Sequence, residues 1–138
     1  EGFGLPIFEA AYSGVPVIAT GWSGQLDFLV DEKGADNFYN VAFDLQAVPD
    51  AVVWEGVVIK ESMWAFPREA SAKTKMRQCY EDLVNNESFA ASASTYADSL
   101  KERFTPEKLY NQFVSNVVSL DEIQEMQSEV ENLLSDLL

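Results

Sequence analysis

The sequence predicts an α/β domain with few parallel strands and a helix-rich C-terminal half. The apolar run at residues 15–20 is typical of a short parallel strand that is covered on both faces. Apolar and polar residues alternate over residues 39–45, which predicts a second strand with one buried face. Beyond residue 67, apolar residues recur at spacings of three and four, as expected of amphipathic helices.

A loop, a helix and a turn precede the first strand. Gly2 and Gly4 allow the loop backbone to approach another group closely. Pro6 suits the first helical position, where its missing N–H is not needed, and Gly14 suits a left-handed C-terminal cap. We therefore expect one short helix between Pro6 and Gly14 that leads directly into the strand.

Two acidic residues, Glu1 and Glu9, bracket this loop and the first helical turn. Free amides at a helix N-terminus and the helix dipole favour phosphate, and carboxylates accept hydrogen bonds from sugar hydroxyls. The pattern predicts a site for a hydroxyl-rich ligand that carries phosphate. The structural alternative is that an acid in the first turn only complements the dipole and that the glycines only form turns.

Local signals also mark the segments between residues 21 and 67. Ser23 is predicted to cap a short helix over the residues that follow it. Trp22 either lines a cleft at the end of the first strand or packs against its own scaffold. Residues 51–60 are predicted to form a small β-hairpin or an extended excursion. Residues 64–67 are predicted to open a helix, with the proline near its first position.

Helical periodicity continues through the C-terminal half. The helix after residue 67 has an apolar stripe formed by Met76, Tyr80, Leu83 and Val84. The next helix has a core-facing stripe formed by Phe89, Ala93, Tyr96 and Leu100. Thr105 and Pro106 are predicted to cap and begin a third helix. Its predicted buried side is formed by Leu109, Phe113, Val114 and Val117.

The last segment, residues 121–138, contains six acids and no Lys or Arg. Apolar residues follow spacings of 3, 4, 3 and 4, as in a coiled-coil seam, at Ile123, Met126, Val130, Leu133 and Leu137. We expect this helix either to associate with another chain or to pack back intramolecularly. The predicted division of the chain therefore separates residues 1–119 from an acidic amphipathic terminal helix at residues 120–138.

Composition excludes several classes of function. The net charge is −14, with nine basic against 23 acidic residues, which argues against nucleic acid and anionic membranes as partners. Cys79 is the single cysteine, so no internal disulfide can form and a reducing compartment is expected. Because histidine is absent and no metal-ligating cluster is visible, no metal site is predicted. No apolar run approaches the ~18 residues of a membrane span.

The Glu-x7-Glu spacing inside EGFGLPIFEA, followed by SGVPVIAT, resembles the signature of a large family of glycosyltransferases. These are the retaining enzymes of GT-B fold, of the group 1 (family 4) type, and the likeness is to the polysaccharide-biosynthesis branch. It continues with TGWSGQLDF at 20–28, FYNVAFDL at 38–45, MWAFP at 63–67, KMRQCYED at 75–82 and RFTPEK at 103–108. It therefore spans roughly residues 1–118.

The resemblance implies a partial Rossmann-like fold, in which residues 1–119 form the C-terminal part of the donor-binding lobe. It implies that the Glu9 carboxylate holds the ribose of a nucleotide sugar and that Glu1 lies beside the transferred sugar as the catalytic residue. The backbone of Gly2, Phe3, Gly4 and Leu5 would face the sugar hydroxyls and the phosphates. Because the chain begins inside this motif, we expect a longer parent protein whose acceptor lobe and diphosphate-binding basic pair lie upstream.

The resemblance further implies transfer of a sugar from a nucleotide sugar to a carbohydrate or lipid-linked acceptor, without a metal or other cofactor. We expect a cytoplasmic location, with a membrane-peripheral one as the alternative, and a fragment that is inactive without the N-terminal lobe of the parent chain. The alternative function is a non-catalytic, transferase-like scaffold that associates through its terminal helix. A homo-oligomer is expected from the apolar seam of that helix.

Overall fold

The computed structural model describes residues 2–135, which form two compact units that divide between Leu100 and Lys101. This division precedes the boundary expected between residues 119 and 120. The chain is α/β, and most of its regular structure is helical. The strands are β1 (Ile18–Thr20), β2 (Tyr39–Val41), β3 (Phe43–Ala47) and β4 (Met63–Pro67). The helices are α1 (Leu5–Tyr12), α2 (Leu26–Leu29), α3 (Glu69–Asn85), α4 (Glu87–Arg103), α5 (Pro106–Val117) and α6 (Leu120–Ser135).

β1 and β2 form a two-stranded parallel sheet, as the sequence predicted. Ile18 lies opposite Tyr39, and Thr20 lies opposite Val41. The Tyr39 N–H also donates to the Val17 carbonyl at 2.8 Å, so the pairing begins just before β1. The chain passes from one strand to the other through α2, which is the connection expected from the sequence.

The prediction of one continuous strand over residues 39–45 is wrong, because the chain leaves the parallel sheet at Ala42. The Ala42 N–H donates to the Ser71 hydroxyl at 2.9 Å, and its carbonyl accepts from the Arg68 N–H at 2.8 Å. These bonds occupy both backbone groups of Ala42 with the segment that begins α3. Past this point β3 pairs with another strand, and Leu45 becomes 43% exposed instead of buried.

The predicted helix start at residues 64–67 is also wrong, because these residues belong to β4. β3 and β4 pair antiparallel from Phe43 opposite Pro67 to Ala47 opposite Met63. Phe66 precedes proline, and the ring of a following proline disfavours the helical region. The helix α3 therefore begins only at Glu69. Between the two strands, residues 51–60 form a short 3-10 turn and a tight turn closed by an antiparallel bridge between Trp54 and Val58.

The predicted end of α1 is confirmed in detail. Gly14 has a φ of 75°, and its N–H donates to the Ala11 carbonyl at 3.0 Å. The Val15 N–H donates to the Ala10 carbonyl at 2.9 Å, which completes a Schellman motif. By contrast, Ser23 does not cap α2: its own φ is 70°, Gln25 is the N-cap residue, and no side chain caps the helix.

The core of the first unit includes residues of α2 and α4. Phe28, Leu29 and Leu100 are the largest fully buried side chains. The Tyr96 hydroxyl donates to the Phe28 carbonyl, which ties the middle of α4 to α2. The stripe predicted for α4 is thus confirmed as its core-facing side, with Leu100 buried and Phe89, Ala93 and Tyr96 half-buried.

The predicted apolar stripe of α3 faces solvent, contrary to expectation: its four members are 51–68% exposed. The buried or half-buried side of α3 consists of smaller or polar residues, among them Ala72, Cys79 and Asp82. Asp82 accepts a hydrogen bond of 2.6 Å from the Tyr39 hydroxyl. Burial, and then the bond to the Asp82 carboxylate, raises the pKa of Tyr39 well above its usual value. Burial likewise raises the pKa of the Cys79 thiol.

The second unit contains two helices with well-formed N-terminal caps. Thr105 caps α5, as predicted, by accepting from the Lys108 N–H at 3.3 Å, and Pro106 lies in the first turn. The buried side predicted for α5 is wrong for three of its four members, since Leu109, Phe113 and Val117 are 44–67% exposed and only Val114 is half-buried. Among residues 2–135, no helix is both long and apolar enough to cross a lipid bilayer.

Candidate functional site

The predicted donor-binding segment meets a second loop at the carboxyl end of β1. The two loops are residues 2–4, which precede α1, and residues 21–25, which follow β1. A Cβ atom placed on Gly24 would lie 2.0 Å from the Gly2 carbonyl oxygen and 3.2 Å from the Phe3 Cα. This backbone contact requires glycine at position 24. It brings the start of α1 to the edge of the parallel sheet where open α/β folds bind their ligands.

Gln25 holds this junction from within. Its side chain is 8% exposed, and its amide donates to the Thr20 carbonyl at 2.7 Å. A Cβ added to Gly4 would lie 3.4 Å from the Gln25 Cβ, so the same side chain packs against the loop before α1. Gln25 therefore connects the last residue of β1 to the first turn of α1. The role of Gln25 was not predicted from the sequence, because a polar residue between a glycine and an apolar helix has no pattern that distinguishes it from a solvated one.

Phe3 is a structural anchor as well as a member of the predicted site. Its ring lies 5.0 Å from the ring of Phe28 and 5.5 Å from that of Phe8, measured between centroids. Phe8 and Phe28 themselves meet edge to face at 5.2 Å. The Phe3 ring thus packs in the aromatic cluster, although the residue stays 40% exposed.

The N-terminus of α1 presents backbone amides without a capping side chain. Gly4 is the N-cap residue, with a φ of 84°, a left-handed conformation that favours glycine. The first intrahelical bond runs from the Phe8 N–H to the Gly4 carbonyl at 2.9 Å. The amides of Leu5 and Ile7 precede this bond, so they have no acceptor within the helix. Pro6, between them, has no N–H. The geometry suits an oxyanion placed beyond Gly4.

Glu9 lies on α1 one turn after Leu5, and both side chains are exposed. Residues four apart share one face of a helix, and helical side chains lean toward the N-terminus. Glu9 therefore lies on the same face of α1 as Leu5, one turn from the N-terminal amides. No acid lies in the first turn of α1. The alternative interpretation of Glu9 as a first-turn dipole partner is accordingly wrong.

Glu1, the predicted catalytic residue, lies outside the described residues. Gly2 is exposed, and its carbonyl forms the contact with Gly24. Trp22 follows β1, and its ring lies 5.7 Å from that of Phe43, which follows β2. Trp22 thus packs on the scaffold with one face, while 41% of its surface stays exposed beside the junction. The interpretation that Trp22 packs against its own scaffold is confirmed, and the one in which it lines a cleft stays a prediction.

The polar groups that this junction offers a ligand are the backbone amides, which donate hydrogen bonds, and the Glu9 carboxylate, which accepts them. Within the described part of the chain, no three His, Cys, Asp or Glu side chains lie together as a metal ion would require. The arrangement can bind phosphate oxygens through amides and hydroxyl groups through Glu9.

Comparisons of this chain with protein-family models, with curated proteins and with solved structures found no match.

Proposed function

We propose that this chain is the donor-binding part of a retaining glycosyltransferase, with a GT-B-like, partly Rossmann-like lobe. The observation that carries the proposal is the junction of the two loops at the carboxyl end of β1, where the uncapped N-terminus of α1 lies beside Gly24. In parallel α/β sheets this edge binds ligands, and a free helix N-terminus favours phosphate. The resemblance of residues 1–20 to the glycosyltransferase signature supports a nucleotide sugar as the ligand.

Different groups at the start of α1 bind different parts of the nucleotide sugar. The amides of Gly4 and Leu5 donate hydrogen bonds to the diphosphate, whose negative charge increases as the sugar departs. Glu9, on the same face as Leu5, accepts hydrogen bonds from the ribose hydroxyls. Front-face transfer lets the departing diphosphate assist the incoming hydroxyl, so no protein nucleophile is needed. Catalysis then consists of positioning and electrostatic stabilisation.

Glu1 is assigned a catalytic position beside the transferred sugar on the resemblance alone. In a longer protein that supplies the acceptor lobe, Glu1→Ala is expected to lower turnover, whereas Glu9→Ala is expected mainly to weaken donor binding. Unchanged kinetics in both variants would remove the assignment. The acceptor is a carbohydrate or a lipid-linked carbohydrate, and the location is cytoplasmic or membrane-peripheral.

The direct test is an NMR titration of the 138-residue chain with a panel of nucleotide sugars. The proposal assigns further charge-assisted contacts to phosphate to the second lobe of a longer protein. Each such contact contributes roughly 1.5–3 kcal/mol, so binding is expected only in the millimolar range and no transferase activity is expected. The amide resonances of Gly4, Leu5 and Ile7 should shift most. Glu9→Gln should weaken the binding of the nucleotide sugar.

Two controls make the titration specific. Glu32→Gln removes an exposed charge in the turn between α2 and β2 and should leave the shifts unchanged. The free sugar without its nucleotide should shift the Gly4 and Leu5 resonances much less than the nucleotide sugar does, because it offers no phosphate. If millimolar nucleotide sugars leave the α1 resonances unmoved, the donor-binding assignment is wrong. Micromolar affinity would instead contradict the expectation that the chain carries only part of the diphosphate site.

The second candidate function is a non-catalytic scaffold that associates through its terminal helix. The exposed apolar seam of α6 favours it: Met126, Val130 and Leu133 are 50–64% exposed. The two candidates differ in what they require of Glu9. If the chain is only a scaffold, Glu9→Gln should leave the titration with nucleotide sugars unchanged. If the chain binds the donor, the same variant should weaken binding.

A further inference from the structure

A cleft lies at the amino end of the parallel sheet. This is the end opposite the α1 junction, where the loop of residues 2–4 meets the loop of residues 21–25. The cleft has a volume of about 270 Å³ and is bounded by the amino ends of both strands, at residues 15–17 and 36–39, and by α4. Its walls are largely aromatic and apolar. The rings come from Phe38, Tyr39, Phe89 and Tyr96, and the rings of Tyr39 and Phe89 lie 5.9 Å apart. The carboxylate of Asp36 and the amide of Asn37 stand at its rim.

The hydroxyl hydrogens around this cleft are directed away from it. Tyr39 donates to Asp82 at 2.6 Å, and Tyr96 donates to the Phe28 carbonyl. Ser92, which also lines the cleft, donates to the Ser88 carbonyl at 3.1 Å. The cleft therefore presents ring surfaces and hydroxyl oxygens, but not the hydroxyl hydrogens that an anion would need.

The rim adds acceptors and negative charge. The Asn37 side-chain amide donates to the Ala35 carbonyl at 3.1 Å, and its side-chain oxygen is a further acceptor in the lining of the cleft. Asp36 accepts a bond of 2.9 Å from the neutral Asn40 amide. Among the described residues, Asp36 takes part in no ion pair. Its charge therefore remains uncompensated at the mouth of an aromatic cleft.

We propose that this cleft binds a small organic cation, an ammonium group carried on an apolar body. Aromatic faces attract ammonium groups through the ring quadrupole, and the attraction strengthens where the cation is desolvated. Asp36 supplies the opposite charge, and the net charge of −14 raises the local concentration of cations. The volume is close to the lower limit of small-molecule sites, which favours a ligand of few heavy atoms. This site is independent of the α1 junction.

Choline and its neutral isostere 3,3-dimethylbutan-1-ol form the decisive pair of probes, because they differ only in the charged nitrogen. NMR titration of the full 138-residue chain should show choline shifting the resonances of Phe38, Tyr39 and Phe89. The isostere should bind roughly tenfold more weakly. Equal affinity for the two probes, or no shift with choline at tens of millimolar, would overturn the proposal.

Two variants locate the site on the protein. Asp36→Asn keeps an acceptor for Asn40 but removes the charge, and should weaken choline roughly tenfold while leaving the isostere unchanged. Glu32→Gln also removes one negative charge, but from a residue outside the cleft, and should change the affinity for choline little. Ser92→Leu fills the cleft from α4 and should abolish binding of both probes, whereas Thr95→Leu on the same helix, outside the cleft, should not. Choline binding that survives Ser92→Leu would show that the cation binds elsewhere and would overturn the proposal.

Discussion

Gly24 lies against Gly2 so closely that a Cβ atom at position 24 would stand 2.0 Å from the Gly2 carbonyl oxygen. The contact joins the loop that follows β1 to the loop that precedes α1. A side chain at Gly24 must therefore push the two loops apart, and with them the N-terminus of α1. A side chain at Gly2 would meet no atom within 4 Å. Position 2 therefore has room for a side chain, whereas position 24 does not.

Gly24→Ala is accordingly expected to destabilise the first unit by about 1–3 kcal/mol, the usual cost of overpacking a tight contact. Gly2→Ala should change the stability little and serves as the matched control. Urea unfolding of the two variants, followed by tryptophan fluorescence, measures the difference. Equal stability of both variants would mean that the loops separate without cost, and the proposed donor site would lose its rigid support.

Much of this first segment was predictable because its signals are local. The positions of Pro6 and Gly14 determine a short helix and its cap through backbone geometry alone, and the parallel pairing of residues 18–20 with residues 39–41 follows from a helix between two apolar runs. Gln25 was not predictable, since its burial depends on the approach of Gly4 from another segment.

The errors arise where distant partners override local pattern. The alternation over residues 39–45 predicts one strand, but Ser71 and Arg68 occupy both backbone groups of Ala42 and end the parallel pairing there. The apolar stripe of α3 predicts a buried face, yet the bond between Tyr39 and Asp82 belongs to the opposite, smaller-residue face. Neither Ser71 nor Asp82 has a sequence signal for these contacts.

The Asp44–Arg68 pair makes the β3–β4 hairpin sensitive to acid. The Arg68 guanidinium donates to Asp44 at 2.9 Å and is the main cause of the lowered pKa of that carboxyl. A carboxyl whose folded pKa lies below its unfolded value, about 3.9, stabilises the fold above that pH. This contribution is lost as the pH falls below about 4 and through the folded pKa.

Asp44→Asn should therefore lower the melting temperature at pH 7 but differ little from the unchanged protein at pH 2. Asp50→Asn, which removes a charge from the more exposed Lys60–Asp50 pair at 3.2 Å, controls for the change in net charge. Melting curves at the two pH values decide the point. A deficit of the same size at both pH values would show that the lost stability is unrelated to the ionised carboxyl.

Ser119 and Glu122 form a capping box at the start of α6. The Glu122 carboxylate accepts from the Ser119 N–H at 2.9 Å and from its hydroxyl at 2.7 Å, and the Ser119 hydroxyl oxygen accepts from the Glu122 N–H at 3.3 Å. The bonds to Ser119 lower the pKa of Glu122. The sequence contains the signature, a serine followed three residues later by glutamate, and the cap could have been predicted from it.

Ser119→Ala should destabilise the first turns of α6 by about 1 kcal/mol, the usual cost of a lost N-cap. Glu122→Gln keeps a group that can accept the same bonds and should have a smaller effect. Hydrogen exchange of the α6 amides measures both variants locally, without requiring the whole chain to unfold. Unchanged exchange in Ser119→Ala would mean that the helix begins independently of its cap.

Self-association is the last expectation, and two surfaces favour it. Among the described strands, β1 pairs only with β2, so one of its edges has no strand partner and could pair with another chain. The seam of α6 exposes Met126, Val130 and Leu133, while Leu137, which continues the pattern, lies outside the described residues. Burying one leucine or isoleucine side chain contributes about 1.5–3 kcal/mol.

The acidic charge of α6 opposes this association, but salt weakens the opposition more than the attraction. Repulsion between exposed charges is screened beyond about 8–10 Å at physiological ionic strength, whereas burial of apolar surface is not screened. We therefore expect a homodimer or higher assembly in sedimentation experiments at tens of micromolar protein and moderate salt, weakening at low ionic strength.

If α6 forms the interface, Val130→Asp should dissociate the assembly, whereas Ser128→Asp, which adds the same charge away from the seam, should not. A monomer under these conditions, with α6 resistant to proteolysis, would mean that α6 packs within its own chain. Association that survives Val130→Asp would point instead to the free edge of β1.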